Sequence, residues 1–205
     1  MAALLNLSRL IDRLNEFVGR WVSWLVLAAV LISAANAIVR KAFNSSSNAF
    51  LEIQWYLFAA VFLLGAGYTM LRQEHVKIDV VLHRFAKRTQ IKVEIFGILV
   101  FLMPFVVTVI VLAWPLVTRA YISGEMSSNA GGLIRWPVFA LVPLGFGLLG
   151  LQGLSELIKR LAFLGGQGPD PNVKVQARTP EEELAEAIRL AAETPAAASA
   201  AGAAR

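Results

Sequence analysis

The chain has 205 residues, 57% hydrophobic and 16% charged, with 19 Lys and Arg against 14 Asp and Glu for a formal net charge of +5. Soluble domains carry about 25% charged residues, so this composition argues against an ordinary water-soluble domain and for a lipid environment. The absence of cysteine removes disulfides, thiolate metal sites and thiol redox chemistry together.

The apolar residues are bunched into runs rather than spread as a soluble core would spread them. Roughly 20 apolar residues at 1.5 Å rise cross a hydrocarbon layer of about 30 Å, and four runs reach that length. Residues 1–20, with Arg9, Arg13 and Arg20, form an N-terminal segment that reads as an amphipathic helix. The first run, residues 21–39, carries no formal charge and stops at Arg40 and Lys41. A signal peptide competes for it, because "ANA" (Ala35 to Ala37) resembles a small-residue cleavage site. The apolar run continues beyond that site, and the lead before it is long for a signal, so a retained span is the better reading.

The second run, residues 50–71, confines Glu52 and Gln54 to its first turn, where a carboxylate is far cheaper than at the bilayer centre. It ends in "RQEHVKIDVV" (Arg72 to Val81), a water-exposed hinge. There His75, Asp79 and His83 have the spacing of four that would align three metal ligands on a helix. Solvated hinge residues are the better reading, since Val76, Ile78, Val80, Val81, Leu82 and Phe85 mark a short amphipathic segment at the headgroup level. The third run, residues 95–117, is the most apolar, and Pro104 and Pro115 are expected to bend it. The fourth, residues 136–158, opens on Trp136 and Pro137, an interfacial anchor followed by a proline pre-set for a first helical turn. In lipid the backbone must satisfy its own hydrogen bonds, so all four are expected to be helices. No strand is expected.

Cations set the expected orientation. The hinge holds Arg72, Lys77, Arg84, Lys87, Arg88 and Lys92, whereas the first and third loops hold only Arg40 with Lys41 and Arg119 with Arg135. The hinge therefore belongs in the cytoplasm and, with four spans, so do both termini. The same arrangement accounts for the net charge through topology and anionic headgroups, and there is no aromatic and basic interleaving of the kind that binds nucleic acid. Residues 161–205 form a cytoplasmic tail. It has a flexible break at "GGQGPDPN", a soluble helix over 180–193 capped by Thr179, Pro180 and Glu182, and a low-complexity end.

Reactive chemistry is scarce. No phosphate loop, activated nucleophile or carboxylate pair falls within a span, so no catalytic residue, cofactor site or metal site is assigned. Glu156 comes closest to an intramembrane acid, but it lies one turn before Lys159 and Arg160 and reads as interfacial. Broken half-helices and an inverted repeat around a midplane site are also missing. Small residues recur instead: Ala29, Ser33 and Ala37, then Gly65 with Thr69, then Gly147, Gly150 and Gly153. They suit close helix approach, either within a bundle or against a partner. The third loop, "YISGEMSSNAGGLIRWP" (Tyr121 to Pro137), is built of turn residues with Glu125 as its acid.

The stretches "LGAGYTMLRQEHVKIDVV", "SGEMSSNAGGLIRWP" and "VPLGFGLLGLQG" together resemble the small membrane subunit of tripartite ATP-independent periplasmic (TRAP) transporters, over about residues 15–160. The resemblance implies a bacterial inner-membrane, multi-pass protein. Its partners would be a large multi-span subunit that moves substrate by an elevator motion and a periplasmic substrate-binding protein. Sodium would drive the cycle through the large subunit, with no cofactor in this chain. Carried over by position, His75, Val76, Lys77, Ile78 and Asp79 occupy the family's cytoplasmic hinge motif. Glu52, Gln54, Glu125, Ser127, Trp136 and Pro137 fall at its second-span start and outer loop, as candidate partner contacts.

The expected fold is thus an all-α membrane protein of four transmembrane helices with both termini cytoplasmic, plus a short cytoplasmic C-terminal helix. The expected function is a non-catalytic scaffold in sodium-coupled, binding-protein-dependent uptake of an organic acid. The alternative is a self-contained small membrane protein, either a homo-oligomeric channel or an assembly factor.

Overall fold

The computed structural model describes residues 2–43, 48–73 and 85–171. Within them the chain is helical, with helices α1 (Ala2–Phe43), α2 (Asn48–Leu71), α3 (Lys87–Gly97), α4 (Met103–Ser123) and α5 (Trp136–Leu164). A five-residue π-helical turn, Ile98–Leu102, joins α3 to α4, so residues 87–123 form one continuous rod. Four rods result, each long and apolar enough to cross a membrane. The hinge motif at residues 75–79 and the tail helix expected over 180–193 lie outside the described residues.

Each rod outruns the apolar run that announced it. α1 has 42 residues, or about 63 Å at 1.5 Å per residue, roughly twice what a bilayer core requires. No proline interrupts it, and the N-terminal segment expected over residues 1–20 continues into the span without a break. That segment is amphipathic in the sense opposite to a soluble helix. Ser8, Ile11 and Asn15 face inward, while Leu10, Phe17, Trp21 and Trp24 are exposed.

The π turn has a local cause. Proline lacks an N–H, and its ring collides with the carbonyl four residues earlier, which for Pro104 is Val100. The chain inserts one residue instead, so that the Met103 N–H bonds the Ile98 carbonyl five positions back. Pro115, by contrast, sits inside α4 without a π turn.

Packing is built on α2 and α5. α2 lies against α1 and α5, α4 lies against α5, and α1 closes on α5. Glycine makes the α2–α5 approach possible, since a methyl group at Gly145 would sit 2.6 Å from the Leu63 carbonyl oxygen. Gly150 and Gly153 receive Val106 of α4 and Leu102 of the π turn, whereas Gly147 faces open space. The interior is polar where a soluble core would be oily. Of the largest fully buried side chains, Ile91, Gln152, Asn15, Ser8 and Ser155, only the first is hydrophobic. Large apolar groups such as Phe62, Leu112 and Ile122 face outward, as a surface immersed in hydrocarbon should. No extended strand occurs among the described residues; the one departure is a single antiparallel bridge between Met126 and Ile134.

Candidate functional site

Two polar assemblies hold the bundle at opposite ends. One lies at the loop end, where α1 passes to α2 and α4 to α5. The other lies at the terminal end, where α1 begins and α5 finishes.

At the loop end, α2 offers Asn48, Glu52 and Tyr56 at a spacing of four, which places them on one face of the helix. All three reach the segment between α4 and α5. Asn48 Nδ2 donates to the Ala130 carbonyl at 3.1 Å, and Tyr56 Oη donates to the Ile134 carbonyl at 3.0 Å. Between them, Glu52 is buried. Its Oε1 accepts hydrogen bonds from the Ser127 hydroxyl and from Asn129 Nδ2 at 2.8 Å. Its Oε2 accepts the Leu133 N–H at 2.6 Å. Both oxygens of the carboxylate thus accept hydrogen bonds from the loop.

The loop is shaped to receive it. Gly124, with φ 61°, ends α4 in the left-handed conformation. The Glu125 N–H returns to the Ala120 carbonyl and the Gly124 N–H to Tyr121, which is the Schellman pattern. Residues 129–132 then turn, closed by the Gly132 N–H on the Asn129 carbonyl at 2.9 Å. Paired backbone bonds, Ser127 N–H to Leu133 and Arg135 N–H to Glu125, both 2.9 Å, staple the two limbs together. Glu125 and Arg135 add an ion pair at 2.9 Å. Trp136 then opens α5 edge-on to Tyr121, with ring centroids 5.4 Å apart, and Pro137 follows in the first helical turn.

At the terminal end, Ser8, Asp12 and Asn15 of α1 meet Gln152, Ser155 and Lys159 of α5. Asn15 Nδ2 donates to Gln152 Oε1 at 3.0 Å. Asp12 Oδ1 accepts from Ser155 Oγ at 2.7 Å and from Gln152 Nε2 at 3.0 Å, and its Oδ2 pairs with Lys159 Nζ at 2.8 Å. Glu156 is also buried. It bonds Lys159 at 2.9 Å and Arg160, and Arg160 Nε reaches Glu94 of α3 at 2.9 Å. Three rods are tied by this one network. Nearby, Arg72 at the end of α2 pairs with Glu16 of α1 at 3.0 Å.

The residues that the sequence nominated as partner contacts therefore separate. Glu52 and Ser127 bond each other, Glu125 bonds Arg135, and Trp136 packs on Tyr121. Gln54 points away from the loop, toward α1. Glu156, read as interfacial, is held by the two cations that follow it. Sequence reasoning passed over Asn48 and Tyr56, although their spacing with Glu52 was visible. It also passed over the polar face of Ser8, Asp12 and Asn15. Among the described residues no group of three His, Asp or Glu side chains is placed to share a metal ion.

Four apolar rods clasped at both ends by polar contacts define a multi-pass α-helical membrane protein. The family model of the DctQ component of tripartite ATP-independent periplasmic transporters matches residues 29–163, more than half of the chain. The chain belongs to that family, a transporter-component family and not an enzyme family. No curated protein is similar enough to the chain to add a relative.

Proposed function

We propose that this chain is the scaffold subunit of a sodium-coupled, binding-protein-dependent importer of an organic acid, seated in a bacterial inner membrane. In this reading the terminal end, both termini and the hinge motif at residues 75–79 are cytoplasmic. The loop of residues 124–135 faces the periplasm and offers a surface to the binding protein. The large subunit carries the substrate and uses the sodium gradient.

One observation carries the reading: polar side chains buried at the two ends of the bundle join one helix to another, as Asn15 does with Gln152, Glu52 with the Leu133 N–H and Arg160 with Glu94. Such a bundle is braced, which suits a fixed support for a neighbour that moves. The exposed stripe of Leu10, Phe17, Trp21 and Trp24 along α1 has the character of a surface that other helices cover.

The test is reconstitution. Liposomes holding the large subunit, with its binding protein outside and an imposed sodium gradient, should accumulate substrate only when this chain is present, and this chain alone should accumulate none. Uptake by the large subunit without it would overturn the proposal.

A further inference from the structure

Between α1 and α2 at the loop end lies a cavity of about 700 Å³, bordered by Ser33, Asn36, Arg40, Lys41, Leu51 and Gln54. It opens because the two helices part. Ala29 is fully buried, but Ser33 and Ala37, one and two turns further along the same face, are exposed. The recurring small residues therefore close the helix contact at one point and widen it into a cleft beyond.

Two features of the cleft point to a ligand. Asn36 and Gln54 are each only 9% exposed, border the cavity, and have no hydrogen-bond partner among the described residues. Their amide groups open onto the cleft, where they can donate to and accept from a bound group. At the rim, Arg40 and Lys41 form no ion pair with a described carboxylate, whereas Arg72, Lys87, Arg135, Lys159 and Arg160 all do. Two cations and two amides with no partner among the described residues define a site for an anion that also carries hydrogen-bonding groups.

We propose that this cleft binds the phosphodiester headgroup of a membrane phospholipid. A guanidinium and an ammonium together suit phosphate oxygens, and the amides suit the ester and headgroup oxygens below. The cleft lies at the end of the spans, at headgroup depth. The exposed side chains of Ile38, Phe43 and Phe50, in the same helical turns, offer acyl chains an apolar wall that a free anion would not use. The proposal requires only that the rods sit in a membrane, and it stands or falls separately from the transport reading.

Native mass spectrometry of the delipidated full-length chain, titrated with phosphatidylglycerol, tests it. R40Q/K41Q and N36L/Q54L should each weaken lipid binding by about tenfold or more. Neither rim cation is buried, so the first pair tests the site without threatening the fold. Arg119→Gln removes an exposed cation elsewhere at the loop end and should leave binding unchanged, and millimolar inorganic phosphate should not displace the lipid. Unchanged binding in R40Q/K41Q, an equal loss in Arg119→Gln, or displacement by phosphate alone would each overturn the assignment.

Discussion

Glu52 Oε2 accepts the Leu133 backbone N–H at 2.6 Å across 81 residues of sequence. One side chain on α2 thereby fixes the far limb of a loop that belongs to α4 and α5. Glu52→Gln replaces one acceptor oxygen by a donor, which must then face the Leu133 N–H or the Ser127 and Asn129 donors. The cost of such a mismatch is about 1–3 kcal/mol, equivalent to roughly a 5- to 150-fold rise in opening. Hydrogen exchange at the Ser127 and Leu133 amides should accelerate by about that factor, with α1 and α5 unaffected. Unchanged exchange would show that the loop holds itself.

Arg160 is almost fully buried between Glu156 and Glu94. Arg160→Met removes the guanidinium that Glu156 and Glu94 share, and removing one member of a buried pair costs about 3–5 kcal/mol. The melting temperature of the purified chain should fall sharply. Adding Glu156→Leu should restore part of the loss, because the double variant removes the buried carboxylate that lost its guanidinium. A further fall would mean that the Glu156 contacts with Lys159 and Gln152 outweigh its pairing with Arg160.

Gly145 and Gly147 lie within one turn of α5 but meet different surroundings. Gly145→Ala forces a methyl group against the Leu63 backbone and should cost about 1–3 kcal/mol. Gly147→Ala enters open space and should be stabilising by about 0.5–1 kcal/mol through helix propensity. Thermal melts of the two single variants should move in opposite directions.

Pro104→Ala restores an N–H that can bond the Val100 carbonyl, removing the reason for the π turn. Losing the extra residue would rotate α3 by about 100° relative to α4, taking Ile91 out of its fully buried position. Because the chain has no cysteine, a single Ile91→Cys reports this directly. Maleimide labelling should be slow in the parent and fast with Pro104→Ala.

The four rods were legible in the sequence because hydrophobic run length depends on bilayer thickness alone. Their ends were not. A helix over residues 1–20 was expected, but not that it would run unbroken into the span, and a helix over 87–94 was not expected. Both meet α5, as in the pairs Asp12–Lys159 and Glu94–Arg160, and local hydropathy carries no trace of such partners. Pro104 and Pro115 were expected to bend the third run; the structure has a π turn just before Pro104 and none at Pro115. Glu52 stood out as an acid at the start of a span, but its partners lie 75 to 81 residues away. Spacing rules along one helix cannot reveal them. The small residues pointed to close packing without saying which would be used: Gly150 and Gly153 are filled, Gly147 is open, and the decisive Gly145 was overlooked.

The network joining Ser8, Asp12 and Asn15 to Gln152, Ser155 and Lys159 has a consequence for biosynthesis. The first helix leaves the ribosome carrying polar groups whose partners are still well over a hundred codons from being translated. Until α5 is inserted, those groups must remain with water, headgroups or an insertion factor. The bundle locks only when its last rod arrives, so a nascent chain arrested before Gln152 should remain a target for quality-control proteolysis.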